Sequence, residues 1–399
     1  MAELDVDVLL VGGGVACASA AQTLVEEGFA GSALLVAREP EPPYERPPIT
    51  KGYLRGEEQR ADSYSPSAGW FDEAPIELRT RTTVTKLDPE AREATLSSGE
   101  GVRFGQALLA TGANVRRLRV PGTELEGLHY LRVFGNADAV RDELDGVTDV
   151  VCVGGSFIGC EAGASLAQLG KRVTILMQEH EPLERVFGKR FAEWTRAVLD
   201  EHGVEVVGDD EVERFAGDGR VERVVTRGGR ELPAQLVVCG VGVTPDVALA
   251  RGAGLAIGES GGVRCDERLR TGTAGIWAAG DVCEYASAAH GGARIRVEHV
   301  EHAKAQGSYA ARDMLGRAAG PYEEVPYFYS DLADWVSLEY VGPAREWDEE
   351  VVEGDMAGGR FGVWYLQDGR VRAALSVAGG LDLDRARELI TTGGRPAAG

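Results

Sequence analysis

Two glycine-rich turns in this chain of 399 residues each follow an apolar run and precede an alanine-rich helical pattern. The first reads VGGG at residues 11–14, and the second reads VGGS at residues 153–156. A strand that ends in such a turn and continues into a helix presents free N–H groups and the positive end of the helix dipole to a phosphate. Two such turns predict two dinucleotide-binding units held against each other.

The first unit has the expected order of elements. Residues 7–11 read as a buried parallel strand, and residues 17–26 read as a helix of small side chains packed on a sheet. Gly12 permits the sharp turn, Gly14 permits a pyrophosphate to approach the backbone, and Cys17 holds the position of the third small residue. We interpret Cys17 as a packing residue, because a helix lying against a sheet leaves its thiol little access to solvent.

The second unit repeats this order. Residues 149–153 read as a strand, residues 160–169 as a helix and residues 172–176 as the next strand, which completes a βαβ unit. Gly154 and Gly159 match the outer positions of the motif, held by Gly12 and Cys17 in the first turn, and Ser156 replaces the middle glycine. The completed βαβ unit favours a dinucleotide site here as well.

The composition and charge of the chain exclude several classes of protein. No stretch reaches the roughly 18 to 20 apolar residues that cross a bilayer, and the N-terminus begins with acidic residues, so we expect a cytoplasmic protein that binds no membrane. The net charge of −22 disfavours nucleic acid. The six cysteines form no CxxC pair and no metal-ligand spacing, which excludes enzymes that relay electrons through such a pair and predicts reduced, buried thiols.

The most specific string in the chain is YERPPITK at residues 44–51. It resembles the YxRPPLSK signature of the single-FAD NAD(P)H reductases, which include ferredoxin, rubredoxin and putidaredoxin reductases, apoptosis-inducing factor and monodehydroascorbate reductase. The resemblance extends to about Gly342. It is carried in the same order by LLATG, VCGVGVTP, GIWAAGD, VEHVEHAKAQG and PYFYSDL, at residues 108–112, 238–245, 275–281, 297–307 and 326–332.

The resemblance implies roles for particular residues around the flavin. Asp281 would accept hydrogen bonds from the ribityl hydroxyls of FAD, and Arg46 would meet its pyrophosphate. Lys51 would lie near flavin N5 in a half-buried ion pair with Glu161, and these two are the expected catalytic residues. Phe157 would pack near the isoalloxazine, although a plain helix-packing role is an alternative. The other expected cofactor contacts are Ala110, Thr111, Gly112, Gly154, Ser156, Ile158, Gly159, Gly242, Gly280, Glu298 and His299.

Two departures from the family pattern concern the ribose sites. Arg38 stands where an acid normally binds the adenosine ribose of FAD, so we assign that contact to the adjacent Glu39. In the second unit the strand is followed by Met177, Gln178 and Glu179. No arginine lies there to receive a 2′-phosphate and Glu179 would repel one, so the sequence favours NADH over NADPH.

The last part of the chain changes pattern at about residue 326. Short alternating strands followed by a helix fit the small interface domain of this family, with the strands at residues 335–340, 361–366 and 371–377 and the helix at residues 382–390. Tyr329 and Glu339 fall where relatives place an aromatic ring and a carboxylate at the nicotinamide pocket. Tyr329 is read equally well as a core residue.

These elements predict an α/β fold of two doubly wound dinucleotide-binding domains and a small α+β C-terminal interface domain. The FAD-binding domain is expected to be discontinuous, at residues 1–120 and 245–322. The NAD-binding domain is inserted between its two parts, at residues 121–244. The interface domain occupies residues 323–399.

The predicted activity is hydride transfer from NAD(P)H to FAD, followed by transfer of electrons to an external acceptor. The expected acceptor is a ferredoxin, docked on a monomer or homodimer through a local basic patch such as Arg116, Arg117 and Arg119. Two alternatives remain open. One is a quinone or small-molecule radical reductase resembling monodehydroascorbate reductase, and the other is a slow NADH-sensing flavoprotein that acts through protein interactions, resembling apoptosis-inducing factor.

Overall fold

The first apolar run, Glu3–Val11, is the central strand of a seven-stranded sheet in the computed structural model, which describes residues 3–67, 69–344 and 346–396. It pairs in parallel with Ala33–Val36 and Gly101–Leu109. The later strand Ile276–Ala278 returns to pair in parallel with Gly101–Leu109. The sheet is completed by Ile76–Arg79, Val84–Asp88 and Glu93–Leu96.

The first helix, Val15–Glu26, begins directly after the first glycine turn. It starts two residues earlier than the sequence pattern predicts, because Gly14 acts as its N-cap and accepts a hydrogen bond from the Ala18 N–H. The helix packs against Val300–Met314. Its small side chains, such as Ala20, are fully buried and allow this close approach.

The second sheet has five parallel strands around Asp149–Val153. The predicted strands Asp149–Val153 and Arg172–Leu176 are confirmed. The helix between them is Phe157–Gln168, which begins three residues earlier than predicted because Ser156 is its N-cap. The other strands are Leu128–His129, Glu205–Val207 and Leu236–Cys239, and the other helices beside this sheet are Phe134–Glu143 and Glu184–Glu201.

Small elements connect these layers. Ala113–Val115 and Val243–Pro245, where the chain enters and leaves the second unit, form an antiparallel ribbon. The other small sheets are Val212–Ala216 with Arg223–Thr226 and Glu231–Pro233, and Val263–Arg264 with Cys283–Ser287 and Ala293–Ile295. The short helices are Pro47–Thr50, Gly52–Arg55, Arg60–Ser63, Trp70–Glu73, Ala248–Gly252, Gly280–Val282 and Ala288–His290.

The last part of the described chain is a five-stranded antiparallel sheet with one helix, Leu383–Thr392. Its strands, in spatial order, are Tyr327–Leu332, Val336–Val341, Arg370–Val377, Arg360–Gln367 and Glu349–Asp355. The sequence analysis predicted no strand at Tyr327–Leu332 or at Glu349–Asp355, and the second of these is an edge strand that is only partly buried and rich in acidic residues. The Tyr365 hydroxyl donates to the Phe187 carbonyl at 2.9 Å, so this sheet is joined to the helix Glu184–Glu201.

The predicted fold class is confirmed: a mixed first sheet that is parallel around Glu3–Val11, a parallel second sheet and a smaller antiparallel C-terminal sheet with a helix. The domain boundaries after residues 120, 244 and 322 stay predictions. The sheet topology and the family resemblance are both compatible with a discontinuous first domain, because Ile276–Ala278 belongs to the first sheet.

Candidate functional site

A cleft of about 540 Å³ opens at the carboxyl end of the strand Glu3–Val11. In open α/β sheets this end, where a strand turns into a helix, is where nucleotides bind. The cleft is also lined by residues of the second unit and of the C-terminal sheet. The predicted site residues in its wall are Gly12, Gly14, Glu39, Arg46, Lys51, Ala110, Thr111, Gly112, Phe157, Ile158, Glu161, Gly280, Asp281, Glu298, His299 and Tyr329.

The first glycine turn has the geometry that a dinucleotide requires. Gly12 has φ +139°, and a Cβ at this position would lie 2.1 Å from the Ala110 carbonyl oxygen. A Cβ on Gly14 would meet no atom within 4 Å, so the turn faces open space at that point. Since no side chain caps the helix Val15–Glu26, its first N–H groups are available to a phosphate. The turn therefore fits the pyrophosphate of FAD.

Glu39 and Arg46 lie together in the cleft wall. Arg46 Nη2 donates to Glu39 Oε1 at 2.6 Å, and the Tyr44 hydroxyl donates to Glu39 Oε2 at 2.5 Å. Burial opposes the charge on Glu39, but the attraction of Arg46 and these hydrogen bonds outweigh it and lower the pKa of Glu39. Arg46 Nη1 also donates to the Arg132 carbonyl at 2.6 Å. The arginine expected at the pyrophosphate is thus held rigidly by protein partners.

The arginine before Glu39 has a different partner. Arg38 Nη1 lies 3.1 Å from Asp246 Oδ2, and its Nη2 donates to Asn114 at 2.8 Å. These contacts tie the end of the first sheet to the ribbon that leaves the second unit. Glu39, placed deeper in the wall, stays our prediction for the adenosine ribose contact.

Asp281 is paired with an arginine that the sequence analysis missed. Arg132 Nη2 lies 2.8 Å from Asp281 Oδ2, and both side chains line the cleft. The Arg132 Nε is buried and has no hydrogen-bond partner among the described residues. An unpaired buried donor beside an open cleft fits a ligand acceptor such as a phosphate oxygen. No local pattern marks Arg132, which follows a two-residue strand, and only the fold brings it to Asp281.

Lys51 and Glu161 form an ion pair, with Lys51 Nζ 2.6 Å from Glu161 Oε1. Their side chains are only 11% and 7% exposed, so the pair is more buried than the half-buried pair predicted from the sequence. Glu161 also accepts hydrogen bonds from Thr50 at 2.6 Å and from Ser330 at 2.5 Å. Elements of all three parts of the fold therefore hold one carboxylate, which satisfies it as burial of a charge requires.

Three aromatic rings, those of Phe157, His299 and Phe328, lie together in the cleft wall. The His299 ring stacks on Phe328 with centroids 3.9 Å apart, and Phe157 packs edge-on against both rings. Burial lowers the pKa of His299 to about 4 against the attraction of Asp281. His299 is therefore a neutral imidazole at neutral pH. These three residues also line a second cavity of about 450 Å³, together with Arg185 and Glu298.

Two further histidines are buried and held neutral at neutral pH. Burial, together with His299 and His290, lowers the pKa of His302 to about 3. Burial and Arg372 lower the pKa of His290 to about 4. Because the unfolded chain binds these protons near pH 6.5, each histidine stabilises the fold fully above that pH, and the stabilisation is lost as the pH falls toward 4.

We expect the free energy of unfolding to decrease between pH 6.5 and pH 5.0, by up to about 1.4 kcal/mol per pH unit for each buried histidine. His302→Asn keeps a hydrogen-bond acceptor for Tyr322, whose hydroxyl lies 3.3 Å from His302 Nδ1. Urea unfolding of both proteins at pH 6.5, 5.75 and 5.0 measures the slope, which should be shallower in the variant. Equal slopes would show that His302 does not contribute to the pH dependence.

The second glycine turn lies outside the cleft wall. A Cβ on Gly154 would lie 2.4 Å from the Gly240 carbonyl oxygen, and a Cβ on Gly159 would lie 1.8 Å from the Gly154 carbonyl oxygen. These glycines therefore permit close packing of helix and strand. Ser156 is exposed, and its side chain makes no capping hydrogen bond, so its hydroxyl is available to a ligand. The next residue, Phe157, joins this turn to both cavities.

The interpretation that no arginine accompanies Glu179 is wrong. Arg185 Nε lies 2.8 Å from Glu179 Oε1. The two residues are six positions apart, and the chain turns back between them because the Leu183 N–H donates to the Gly155 carbonyl at 2.7 Å. The charge that was expected to repel a 2′-phosphate is therefore paired.

Three other predicted contacts do not reach the cleft. Cys17 is fully buried, and burial raises the pKa of its thiol, which agrees with a packing role. Gly242 adopts φ +92° beside Arg116, where the chain enters the antiparallel ribbon. Glu339 accepts a hydrogen bond from the Tyr327 hydroxyl at 2.7 Å and lies opposite Tyr329 in the sheet register. Of the expected aromatic and carboxylate, the structure brings only Tyr329 to the cleft wall.

The thiols are in the state that the sequence predicts. All six cysteines are free and buried. Among residues 3–67, 69–344 and 346–396, no cluster of three or more His, Cys, Asp or Glu side chains could hold a metal ion. Over the same described ranges, no helix combines the length and apolar character needed to cross a bilayer.

Comparison with known proteins agrees with the arrangement of the cleft. Residues 6–307 match the profile of the pyridine nucleotide-disulphide oxidoreductases, and residues 327–399 match that of the reductase C-terminal domain. The chain belongs to the pyridine nucleotide-disulphide oxidoreductase family. The resemblance seen in the sequence motifs and the expected oxidoreductase class are confirmed.

Relatives match over nearly the whole length. A ferredoxin–NAD(P)(+) reductase from Sphingomonas sp is 34% identical, covering 98% of this chain and 94% of the relative. A ferredoxin–NAD(+) reductase subunit of a benzene 1,2-dioxygenase system from Pseudomonas putida is 33% identical, covering 96% and 92%. A crystal structure of a ferredoxin reductase from Rhodopseudomonas palustris superposes with a TM-score of 0.92 at 30% identity, covering 98% of this chain and 95% of that one.

Proposed function

We propose that this member of the family is an FAD-dependent NAD(P)H oxidoreductase that passes electrons to a ferredoxin-type iron–sulfur protein in the cytoplasm. The observation that carries the proposal is the cleft. It begins at a glycine turn suited to a pyrophosphate and contains a buried Lys51–Glu161 ion pair beside the second dinucleotide unit. Whole-length similarity to ferredoxin reductases supports the choice of acceptor.

The chain's own residues would bind and orient the flavin. Free N–H groups at the start of Val15–Glu26 and the Arg132 guanidinium suit the phosphates, and the free acceptor capacity of Asp281 suits the ribityl hydroxyls. FAD, when bound, accepts a hydride from NAD(P)H and returns electrons to one-electron carriers. The protein contributes the position and electrostatic environment in which that exchange occurs.

Lys51 supplies the fixed positive charge in this environment. Its Nζ stays beside Glu161 because Thr50 and Ser330 hold that carboxylate in place. A charge with this little exposure acts at close range in a medium of low polarity, where its influence is stronger than in water. Lys51 and Glu161 therefore remain the predicted catalytic pair.

The acceptor has to be external. All six cysteines are buried, so no thiol pair at the cleft is open to an electron-accepting partner. An acidic chain at −22 needs a local basic surface to bind an acidic ferredoxin. Arg116, Arg117 and Arg119 are exposed and follow closely on Ala113 in the cleft wall, so they form a candidate docking surface.

We expect the purified protein to be yellow, with one FAD per chain, and to reduce a [2Fe–2S] ferredoxin at the expense of NADH. Steady-state assays with a panel of ferredoxins, rubredoxin, quinones and ferricyanide identify the acceptor. Replacing Arg117 and Arg119 by glutamate should raise the KM for ferredoxin by about tenfold or more, because two attractive charges become repulsive. The rate with ferricyanide should stay unchanged.

The matched control replaces Lys189 and Arg190, which are exposed on the helix Glu184–Glu201, by glutamate. This variant carries the same change in net charge and should keep the ferredoxin KM of the native chain. An equal KM increase in both variants would show that net charge, not this surface, governs docking. A quinone reduced efficiently while every ferredoxin fails would instead favour the small-molecule reductase.

A further inference from the structure

Four buried polar atoms without a hydrogen-bond partner lie where the C-terminal sheet meets the chain that follows Asp281. They are Tyr285 Oη, His290 Nε2, His302 Nε2 and Arg372 Nε, and none of them has a partner among the described residues. Folded proteins leave few such atoms unpaired, because each has lost its contact with water without gaining a replacement. Their occurrence in one region indicates a binding site outside the nucleotide cleft.

The tyrosine and the two histidines belong to one buried cluster. The centroids of the Tyr285 and His302 rings lie 5.7 Å apart, and Tyr322 packs edge-on against both rings at 5.5 Å and 5.6 Å. Ser287 lies on the same strand as Tyr285, two positions later, so both side chains are on one face of that strand. The Ser287 Oγ lies 2.7 Å from His290 Nδ1 and thereby connects His290 to the cluster.

Arg372 reaches this cluster from the C-terminal sheet through a β-bulge. Successive residues of the strand Arg360–Gln367 pair with residues 373 and 371, so Arg372 is the extra residue between them. A bulge changes the direction of a side chain relative to the regular alternation of its strand. The Arg372 charge acts on His290, where it adds to the effect of burial in lowering the pKa. The arginine and this histidine are therefore neighbours.

All four unpaired atoms can act as hydrogen-bond donors. The guanidinium N–H only donates, and a tyrosine hydroxyl has a proton to donate. His290 Nδ1 lies beside the Ser287 hydroxyl, and His302 Nδ1 lies 3.3 Å from the Tyr322 hydroxyl. A neutral imidazole that accepts a hydrogen bond at Nδ1 carries its own proton on Nε2. The cluster therefore presents N–H and O–H groups that require an acceptor.

Arg372 gives the cluster a positive charge. Burial is the main cause that lowers the pKa of His290 to about 4 and that of His302 to about 3, so both are uncharged at neutral pH. Glu324, which adds to the effect of burial in raising the pKa of Tyr285, is exposed. Within the part of the chain that the structure describes, neither this acid nor any other forms an ion pair with Arg372. A half-buried guanidinium without a counter-ion favours an anionic ligand.

We propose that this cluster binds a small inorganic anion. Arg372 supplies the charge, and Tyr285, His290 and His302 supply hydrogen bonds to the anion. The bound anion links the C-terminal sheet to the strand Cys283–Ser287 and the helix Val300–Met314, and so fastens the last part of the chain to the first unit. This site is separate from both glycine turns, and its existence does not depend on the proposed function.

Titration calorimetry of the holoenzyme with sodium phosphate, and separately with sodium chloride, tests the site. Saturating ADP-ribose keeps phosphate from the second glycine turn, and sodium gluconate holds the ionic strength constant. The native chain should bind phosphate or chloride saturably, with one anion per chain. Arg372→Gln should weaken this binding about tenfold or more, because a charge-assisted hydrogen bond is lost.

Two further variants separate charge from hydrogen bonding. Arg372→Lys keeps the positive charge and should bind the anion more tightly than Arg372→Gln does. His290→Phe keeps a ring of similar shape but removes the Nε2 donor, so it should weaken binding about threefold. Both variants replace one side chain by another of similar size, and thermal melting curves of the holoenzymes establish that each is folded.

The matched control is Arg370→Gln, because Arg370 is exposed on the same strand as Arg372. It makes the same change in net charge and should keep the native Kd. If the native chain binds neither phosphate nor chloride, water satisfies these donors and the proposal is wrong. If the anion binds Arg372→Gln and His290→Phe as tightly as the native chain, it lies elsewhere and the proposal is likewise overturned.

Discussion

Gly12→Ala is expected to yield a protein that retains little or no FAD. Gly12 has φ +139°, which disfavours any residue with a Cβ, and the new Cβ would lie 2.1 Å from the Ala110 carbonyl oxygen. Backbone strain and this contact together cost about 3 kcal/mol or more, and a loss of that size in the turn corresponds to over a hundredfold in FAD affinity. The absorbance ratio at 450 and 280 nm gives the flavin content per chain.

Substitutions at two further glycines distinguish a specific loss of FAD binding from general damage to the fold. A Cβ on Gly135, in the helix Phe134–Glu143, meets no atom within 4 Å, so Gly135→Ala should keep full FAD. Gly14→Ala also meets no protein atom, but its methyl group would enter the space that faces the cleft. It should fold normally and bind FAD more weakly than the native chain. Stoichiometric FAD in Gly12→Ala would show that this turn does not hold the flavin.

Lys51→Met is expected to retain FAD and to slow flavin reduction by NADH about a hundredfold, the usual scale for loss of one buried electrostatic contact. FAD should remain because Arg132, Asp281 and the first glycine turn are untouched. Glu161→Gln should cause a smaller defect, because its amide still accepts from Lys51, Thr50 or Ser330. Anaerobic stopped-flow measurement of flavin absorbance gives the rate for each protein.

The double variant tests whether the two residues act as a unit. Because Lys51 Nζ lies 2.6 Å from Glu161 Oε1, the combined loss should be smaller than the product of the two single losses. Lys304→Met is the matched control, since Lys304 forms ion pairs with Glu45 and Glu301 outside the cleft wall. It should reduce flavin at the native rate. Fully multiplicative effects of Lys51→Met and Glu161→Gln would show that the pair is not a functional unit.

Local patterns in the sequence identified much of the fold. In each unit the strand, the glycine turn and the helix follow one another along the chain. Residues 7–11 and 149–156 therefore predict both units without any information on distant contacts. The starts of both helices were predicted too late, because Gly14 and Ser156 act as N-caps and each helix begins before the apolar periodicity of its sequence. The edge strand Glu349–Asp355 was missed because it is only partly buried and mostly acidic, so its sequence shows no alternation of apolar and polar residues.

The contacts in the cleft join residues that are far apart in the sequence, so local patterns could not predict them. Lys51 and Glu161 are 110 positions apart, and their pairing was predicted only through the resemblance to a family. Arg132 was not predicted at all, because its partner Asp281 lies 149 positions away and nothing around it in the sequence is distinctive. Glu339 was expected at the nicotinamide pocket; it lies opposite Tyr329 in the sheet register, but its carboxylate accepts a hydrogen bond from the Tyr327 hydroxyl and is not in the cleft wall.

The sequence by itself determined the two dinucleotide units, the buried parallel strands beside their glycine turns and the buried state of the thiols, because turn conformation and apolar periodicity are properties of neighbouring residues. Only the tertiary structure decided which charges neutralise each other. Arg185 returns to Glu179 because the loop folds back on Gly155, and Ser330 reaches Glu161 from the C-terminal sheet. An ion pair depends on a distance of a few ångströms between side chains, and that distance follows from how the layers pack.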